Sequence, residues 1–127
     1  MYIKWTDRQI GHLNGRIFIV TGANTGLGFH TAKTLACKGA RVVLACRNEE
    51  KGNEAVSKIQ STQDDTQVEF MKLDLASLNS IQRFAEAYSN ANEYIHALVN
   101  NAGVMIPPFT TTEEGFESQF GINHLGH

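Results

Sequence analysis

Three glycines stand between a strand-like run and a helix-like run near the start of the chain, in the segment Val20-Thr21-Gly22-Ala23-Asn24-Thr25-Gly26-Leu27-Gly28. Residues 16–20 are branched and aromatic and predict a buried strand, whereas residues 29–38 predict a helix. Glycine lets a backbone turn tightly and lets a ligand approach without a Cβ in the way. Because a helix N-terminus also attracts anions, the turn predicts a phosphate-binding site.

Strand and helix patterns alternate along the rest of the chain. Apolar runs at residues 41–46, 68–73 and 95–99 predict three further strands, and residues 49–60 and 77–88 predict helices, the second with Ser77 as N-cap. This alternation requires parallel strands joined by crossovers. We expect an α/β, Rossmann-like doubly wound parallel sheet in the order 3-2-1-4 with flanking helices, as one domain over residues 1–127.

The glycine spacing differs from the common G-x-G-x-x-G fingerprint, since it reads Gly22-x-x-x-Gly26-x-Gly28. A Thr-Gly-x-x-x-Gly-x-Gly turn after the first strand, with Asn100-Asn101-Ala102-Gly103 after the fourth, resembles the two signatures of the short-chain dehydrogenase/reductase family. The segment Ala45-Cys46-Arg47-Asn48 is similar to the retinol dehydrogenase-like branch. The resemblance runs from about residue 13 onward and covers the N-terminal, cofactor-binding half of the family pattern.

The resemblance implies that the glycine turn holds the pyrophosphate of NAD(P). The residues concerned are Gly22, Asn24, Thr25, Gly26, Leu27 and Gly28. A structural turn without a ligand is the alternative, and Asn24 is also suited to local hydrogen bonding in a turn.

Arg47 follows the second strand, where this fold distinguishes its two cofactors. No carboxylate precedes Glu49 that could meet a ribose hydroxyl, whereas an arginine can pair with a 2′-phosphate. A solvated surface arginine is the alternative. The position favours NADP(H) over NAD(H).

Two further segments follow the third and fourth strands. By the resemblance, Asp74 contacts the adenine, although an aspartate there could equally cap the next helix, and the Leu75 backbone lies near the adenine in either case. Adjacent asparagines at a strand end are costly to bury without partners, so Asn101 should bind neighbouring backbone. Ala102 and Gly103 leave room for a flat ring.

A last helix is expected to open at a capping box formed by Thr111 and Glu114. It would carry Phe116, Phe120 and Asn123 on one inward face. The resemblance makes Asn123 the active-site asparagine that holds a water in the proton relay. A core asparagine that kinks the helix is a compatible alternative. His124 and His127 are interpreted as packing or surface residues.

The catalytic Tyr-x-x-x-Lys of the family is missing, because none of Tyr2, Tyr88 and Tyr94 has a lysine four positions later. The resemblance therefore implies a chain truncated before that segment. The whole protein would transfer hydride between the nicotinamide and a carbonyl or secondary alcohol, with a retinoid-like or lipid-like substrate. A short non-catalytic protein that binds a nucleotide or a partner, and a pigment reductase with the same early signatures, remain alternatives.

Composition excludes several other classes of function. A formal charge of −2 offers no basic field for nucleic acid. Cys37 and Cys46 form no C-x-x-C and suit neither a metal site nor a disulfide framework. Residues 1–14 lack the apolar core of a signal peptide and the length of a membrane span. We expect a cytoplasmic protein with free thiols, and the full-length protein could be a homo-oligomer.

Overall fold

The computed structural model describes residues 4–92 and 94–127. Four strands form one parallel sheet in the order β3-β2-β1-β4, which confirms the predicted fold class and strand order. The strands are β1 (Ile17–Thr21), β2 (Arg41–Cys46), β3 (Gln67–Lys72) and β4 (Ala97–Val99). The helices are a 3₁₀ turn (Asp7–Gln9), α1 (Gly26–Cys37), α2 (Glu49–Gln60), α3 (Leu78–Ala91) and α4 (Ser118–Phe120), and α4 continues as a π-helix (Gly121–Leu125). Residues 1–3, the first part of the N-terminal segment 1–14, lie outside the described residues.

Alternation along the strands produces a core on both faces of the sheet. Val20 and Leu44 are fully buried against α1 and α2, together with Ile59 of α2. Their neighbours Ile19 and Val43 point to the opposite face and pack towards α3. Each fully buried branched side chain contributes about 1.5–3 kcal/mol to the free energy of unfolding. This two-sided burial explains why the strands read as continuous apolar runs.

The face towards α3 is only partly covered near β4. Tyr94, Ile95 and Leu98 are between 40% and 57% exposed. They line an apolar groove of about 500 Å³ between α3, β4 and the end of the π-helix. Because β4 is also an edge strand, this side of the sheet has a free edge and an uncovered face. Within the described part of the chain, no helix has the length and apolarity that crossing a membrane requires.

Helix α1 begins three residues before the expected position. Thr25 is its N-cap, and Gly26 enters the helix with a φ of 57°, a conformation that glycine adopts readily. Gly26 and Gly28 therefore belong to the first turn of the helix rather than to the loop before it.

The expected capping box at Thr111 and Glu114 does not form. Thr111 pairs with Glu117 in an isolated antiparallel bridge, and the Glu114 carboxylate accepts a hydrogen bond of 2.7 Å from the backbone N–H of Leu78, at the start of α3. Gly115 has a φ of 85°, which ends any helical path directly after the motif. The helix opens instead at Ser118.

The inward face predicted for the last helix was also wrong. Phe116 precedes the helix and is 41% exposed, and Phe120 is 52% exposed. The helical spacing that placed both on one buried stripe does not apply, because the chain between them is a turn followed by a short helix.

Candidate functional site

The carboxyl ends of the four parallel strands meet at one edge of the sheet. The chain runs outward from β1 to β3 and then returns to β4 on the other side of β1, so a crevice opens at this switch point. A depression of about 160 Å³ lies there. It is lined by Gly22, Asn24, Ala45, Cys46, Arg47, Leu73, Asp74, Leu75, Ala102, Gly103, Val104 and Ile122. Seven of the predicted site residues thus lie around one depression. Two other concavities of the molecule have larger volumes, about 500 and 650 Å³.

The three glycines of the turn serve different purposes. A Cβ on Gly22 would lie 2.9 Å from the Ala102 Cα, and one on Gly28 would lie 2.4 Å from the Asn101 Nδ2. These two glycines therefore let the turn pack against the end of β4. A Cβ on Gly26 would meet nothing within 4 Å. Of the three, Gly26 alone faces open space.

The N-terminus of α1 is accessible beside that space. Thr25 and Leu27 are exposed, and Asn24 lines the depression. The Thr25 side chain makes no capping hydrogen bond. Helix N-termini leave their first N–H groups without intrahelical partners, so this end can donate to an anion.

Arg47 is exposed directly after β2, as its place in the sequence indicated. The next residue, Asn48, is the N-cap of α2, and its side chain accepts a hydrogen bond of 2.8 Å from the backbone N–H of Lys51. Among the described residues that line the depression, Arg47 is the one cation. A guanidinium is a group that can form a bidentate pair with a phosphate.

Asp74 belongs to the turn before α3. Its Oδ1 accepts a hydrogen bond of 3.0 Å from the Ala76 backbone N–H, while the N-cap of α3 is Ser77, as predicted. Capping therefore falls to Ser77, and Asp74 stabilises the turn with one carboxylate oxygen. Asp74 also lines the depression together with the buried Leu75.

Asn101 ties the end of β4 to the glycine turn. Its Nδ2 donates to the backbone oxygen of Thr21 at 2.9 Å and to that of Gly22 at 3.4 Å. The Thr21 hydroxyl accepts from the backbone N–H groups of Asn101 and Ala102 at 3.0 and 2.9 Å. Asn101 thus binds neighbouring backbone, as the cost of burying it suggests.

Asn123 is exposed and does not point into the core, which corrects the expected inward orientation. Its Oδ1 accepts from the Val104 N–H and its Nδ2 donates to the Val104 oxygen, both at 2.8 Å. It lies in the π-helix, where the Gly126 N–H bonds the Gly121 oxygen five residues back. The amide keeps one lone pair and one hydrogen that could hold a water.

Thr21 is a site residue that the sequence pattern did not single out, as are Ala45, Cys46, Leu73, Val104 and Ile122, which line the depression. It is 2% exposed, and its hydroxyl joins the glycine turn to the Asn101–Ala102 backbone. The available signal was a buried hydroxyl at the end of an apolar strand, which needs hydrogen-bond partners. In the described residues, no group of three His, Cys, Asp or Glu side chains could hold a metal ion.

Comparison with known proteins agrees with this geometry. The model of the short chain dehydrogenase family matches residues 16–127. Human retinol dehydrogenase 11 is 50% identical over 115 residues, which is 91% of this chain and 36% of the relative. The WW domain-containing oxidoreductase of Gallus gallus is 51% identical over 91% of this chain and 28% of its own length. The chain thus spans about a third of the length of these curated relatives.

Solved structures share the fold. A crystal structure of an uncharacterised protein from Mycobacterium paratuberculosis matches with a TM-score of 0.86 and 43% identity, over 97% of this chain and 42% of that one. A metagenomic short-chain oxidoreductase in complex with NADP matches with a TM-score of 0.67 and 37% identity. The match covers 72% of this chain and 41% of that one. A short-chain dehydrogenase/reductase from Burkholderia phymatum in complex with NAD matches with a TM-score of 0.73 and 27% identity. The match covers 92% of this chain and 42% of that one. Because the family model matches residues 16–127 and solved structures of the family share the fold, the chain belongs to the short-chain dehydrogenase family.

Proposed function

We propose that the full-length protein is an NADP(H)-dependent oxidoreductase that transfers hydride between the nicotinamide and a carbonyl or secondary alcohol. The likeness to retinol dehydrogenase 11 supports a retinoid-like or lipid-like substrate. The residues of the present chain would form the cofactor-binding site, and Asn123 would be one residue of the proton relay. The bound nicotinamide would supply the hydride chemistry.

The position of Arg47 is the observation that supports NADP(H) over NAD(H). It is exposed at the end of β2, where this fold meets the adenosine ribose, and it is the cation of the depression. The first acidic residue after β2, Glu49, lies within α2. A carboxylate that would favour the free 2′-hydroxyl of NAD is therefore absent from the strand end.

The other residues have distinct proposed roles. Gly26 and the first N–H groups of α1 would receive the pyrophosphate. Asp74 and Leu75 would border the adenine, and Ala102 and Gly103 would border the nicotinamide. Asn123 would hold a relay water with the part of its amide that Val104 leaves free.

The test compares the affinities of the full-length protein for NADPH and NADH. We expect NADPH to bind more tightly and Arg47→Asp to remove that preference. Loss of a charge-assisted pair costs about 1.5–3 kcal/mol, which corresponds to roughly 10- to 150-fold in Kd. Arg83→Asp changes the same charge on α3, away from the depression, and serves as the control.

Two results would count against the proposal. Equal affinity of the parent protein for both cofactors would remove the assignment of Arg47. Tight NADPH binding by a full-length protein that neither oxidises alcohols nor reduces carbonyls would favour the alternative, a non-catalytic nucleotide-binding protein.

A further inference from the structure

The buried hydroxyl of Thr21 has four polar neighbours, one more than a hydroxyl can hydrogen-bond at once. Its Oγ1 accepts the backbone N–H groups of Asn101 and Ala102 at 3.0 and 2.9 Å. It also lies 2.9 Å from Nε2 of His127 and 3.4 Å from the backbone oxygen of Val99. A hydroxyl has two lone pairs and one proton. The two N–H groups occupy the lone pairs, so the proton remains for the other two neighbours.

The distances decide where that proton goes. Hydrogen bonds from hydroxyls span about 2.5–3.0 Å, and the Val99 oxygen lies beyond this range. The hydroxyl of Thr21 therefore donates to Nε2 of His127, which must carry a free lone pair.

The geometry points to a positioning role for His127, and we propose that it acts as a neutral imidazole protonated on Nδ1. The Nδ1 proton faces the backbone oxygen of Asn123, which at 3.4 Å is too distant for a strong hydrogen bond, so the tautomer is set by Thr21. In the opposite tautomer, an Nε2 proton would face an oxygen whose lone pairs are already used. His127 thus fixes the direction of the Thr21 hydroxyl and keeps its lone pairs on the Asn101 and Ala102 amides.

This role connects the two halves of the nicotinamide side of the site. Asn123 bonds the backbone of Val104 from the π-helix, and His127, two residues after that helix, bonds the Thr21 hydroxyl that accepts the Ala102 N–H. The segment between Asn101 and Val104 is therefore fixed at both ends. Its relevance to cofactor affinity rests on the proposed function, whereas the tautomer of His127 does not.

The chain contains an internal reference for the tautomer. Nδ1 of His96 accepts the Ile17 backbone N–H at 3.0 Å, so a neutral His96 must carry its proton on Nε2. Long-range ¹H–¹⁵N correlation spectra of the full-length protein at mildly alkaline pH separate the two tautomers. We expect His127 protonated on Nδ1 and His96 on Nε2, and His127→Gln identifies the His127 signals by their loss.

Thr21→Val tests the cause, because it removes the hydroxyl and keeps the shape. We expect His127 to lose its fixed Nδ1–H tautomer in this variant. His127→Phe should weaken NADPH binding by roughly 3- to 10-fold, the ratio expected for one neutral hydrogen bond, and His127→Gln, which restores an acceptor, should recover part of the loss. His124→Gln is the matched control, because His124 stacks on Phe120 at 5.4 Å, and it should change neither readout.

The outcomes are separable from those of the proposed function. An Nε2-protonated His127, or a Thr21→Val variant with an unchanged His127 tautomer, overturns this inference even if NADPH binds tightly. Unchanged NADPH affinity in His127→Phe overturns the positioning role. Failure of the parent protein to bind NADPH overturns the proposed function, while the tautomer is still read from the spectra.

Discussion

At the scale of single residues, two glycines of the turn are required for packing, and the third faces open space. Gly22 and Gly28 leave no room for a Cβ, because Ala102 and Asn101 stand against them. Gly26 has room but a φ of 57°. The sequence pattern gives all three glycines the same appearance, and only the surroundings of each one separate their roles.

Gly26→Ala should weaken NADPH binding more than it weakens folding. The added methyl group would enter the space of the phosphate, and the positive φ adds about 1–2 kcal/mol of strain. Gly28→Ala should instead reduce the free energy of unfolding, because its Cβ would overlap Asn101 and the Gly22 oxygen. Titration with NADPH and urea unfolding of the full-length variants measure the two effects.

Gly15→Ala controls for the backbone strain of Gly26→Ala. Gly15 has a φ of 74° with open space around a Cβ, and it precedes β1 at the other end from the depression. An equal loss of NADPH affinity in both variants would mean that strain, and not the phosphate space, explains the effect.

Cys46 gives a pH dependence at the end of β2. Burial raises the pKa of its thiol from 9.0 to about 11. The folded protein therefore keeps a proton that the unfolded chain releases, so the free energy of unfolding falls as the pH rises from about 9 to about 11 and is unaffected below that window. The loss should be about 3 kcal/mol, since the pKa rises by about two units and one unit corresponds to about 1.4 kcal/mol.

Urea unfolding of the full-length protein across that pH window tests the prediction. Cys46→Ala should have a flatter dependence than the parent, and Cys37→Ala, at the half-buried cysteine of α1, should keep the parental slope. Identical slopes in the parent and Cys46→Ala would show that Cys46 is not the titrating group.

At the scale of elements, carboxylates of the loop before α4 accept hydrogen bonds at the N-termini of two helices. Glu113 accepts the Ser77 hydroxyl and Glu114 accepts the Leu78 N–H, both at the N-terminus of α3. Glu117 accepts the N–H groups of Gln119 and Phe120, each at 2.9 Å, and so caps α4. The loop thereby joins α3 to the helix that carries Asn123.

Glu117→Ala should destabilise α4 and weaken the hydrogen bonds between the Asn123 side chain and the Val104 backbone. Hydrogen bonds from the Gln119 and Phe120 backbone N–H groups lower the pKa of the Glu117 carboxyl below its ordinary 4.5. The stabilisation by Glu117 is therefore present above that value and is lost as the pH falls through the lowered pKa. The stability difference between the parent and Glu117→Ala should shrink in acid.

Thermal unfolding of both proteins between about pH 3 and pH 7 makes the comparison. Glu86→Ala, which removes a carboxylate bonded to the Gln82 side chain within α3, serves as the control. A difference between the parent and Glu117→Ala that persists unchanged in acid would contradict the role of the ionised cap.

At the scale of the whole molecule, burial is uneven across the sheet. The face under α1 and α2 contains the fully buried core, whereas the face near β4 exposes Leu98 and Ile95 in the large apolar groove. Exposed apolar patches beside a free strand edge favour association. The free energy of unfolding of a domain is only about 5–15 kcal/mol, so an uncovered apolar face lowers it by a large fraction.

Expressed as these 127 residues alone, the chain should self-associate or fold only partly, bind NADPH weakly and show no dehydrogenase activity. Size-exclusion chromatography and NMR measure the first two properties. Leu98→Asp should reduce association by placing a charge in the groove. Met105→Ser, at a residue 85% exposed outside the groove, should not. A monodisperse monomer that binds NADPH would instead support a short binding protein.

The sequence alone determined the sheet, its strand order and the end of each strand where the site lies. Period and glycine spacing are local properties, and parallel strands bring distant segments such as Arg47 and Ala102 to one edge by topology alone. Ser77 was predictable for the same reason, because a cap depends on its own turn.

Tertiary structure decided what depends on contacts between distant segments. The capping pattern at Thr111 and Glu114 failed because the Glu114 carboxylate found the free Leu78 N–H of α3. Asn123 turned to the Val104 backbone rather than to the core, and Thr21 acquired its partners from β4 and His127. Unsatisfied polar groups take the partners that folding brings near, and sequence spacing does not contain that information.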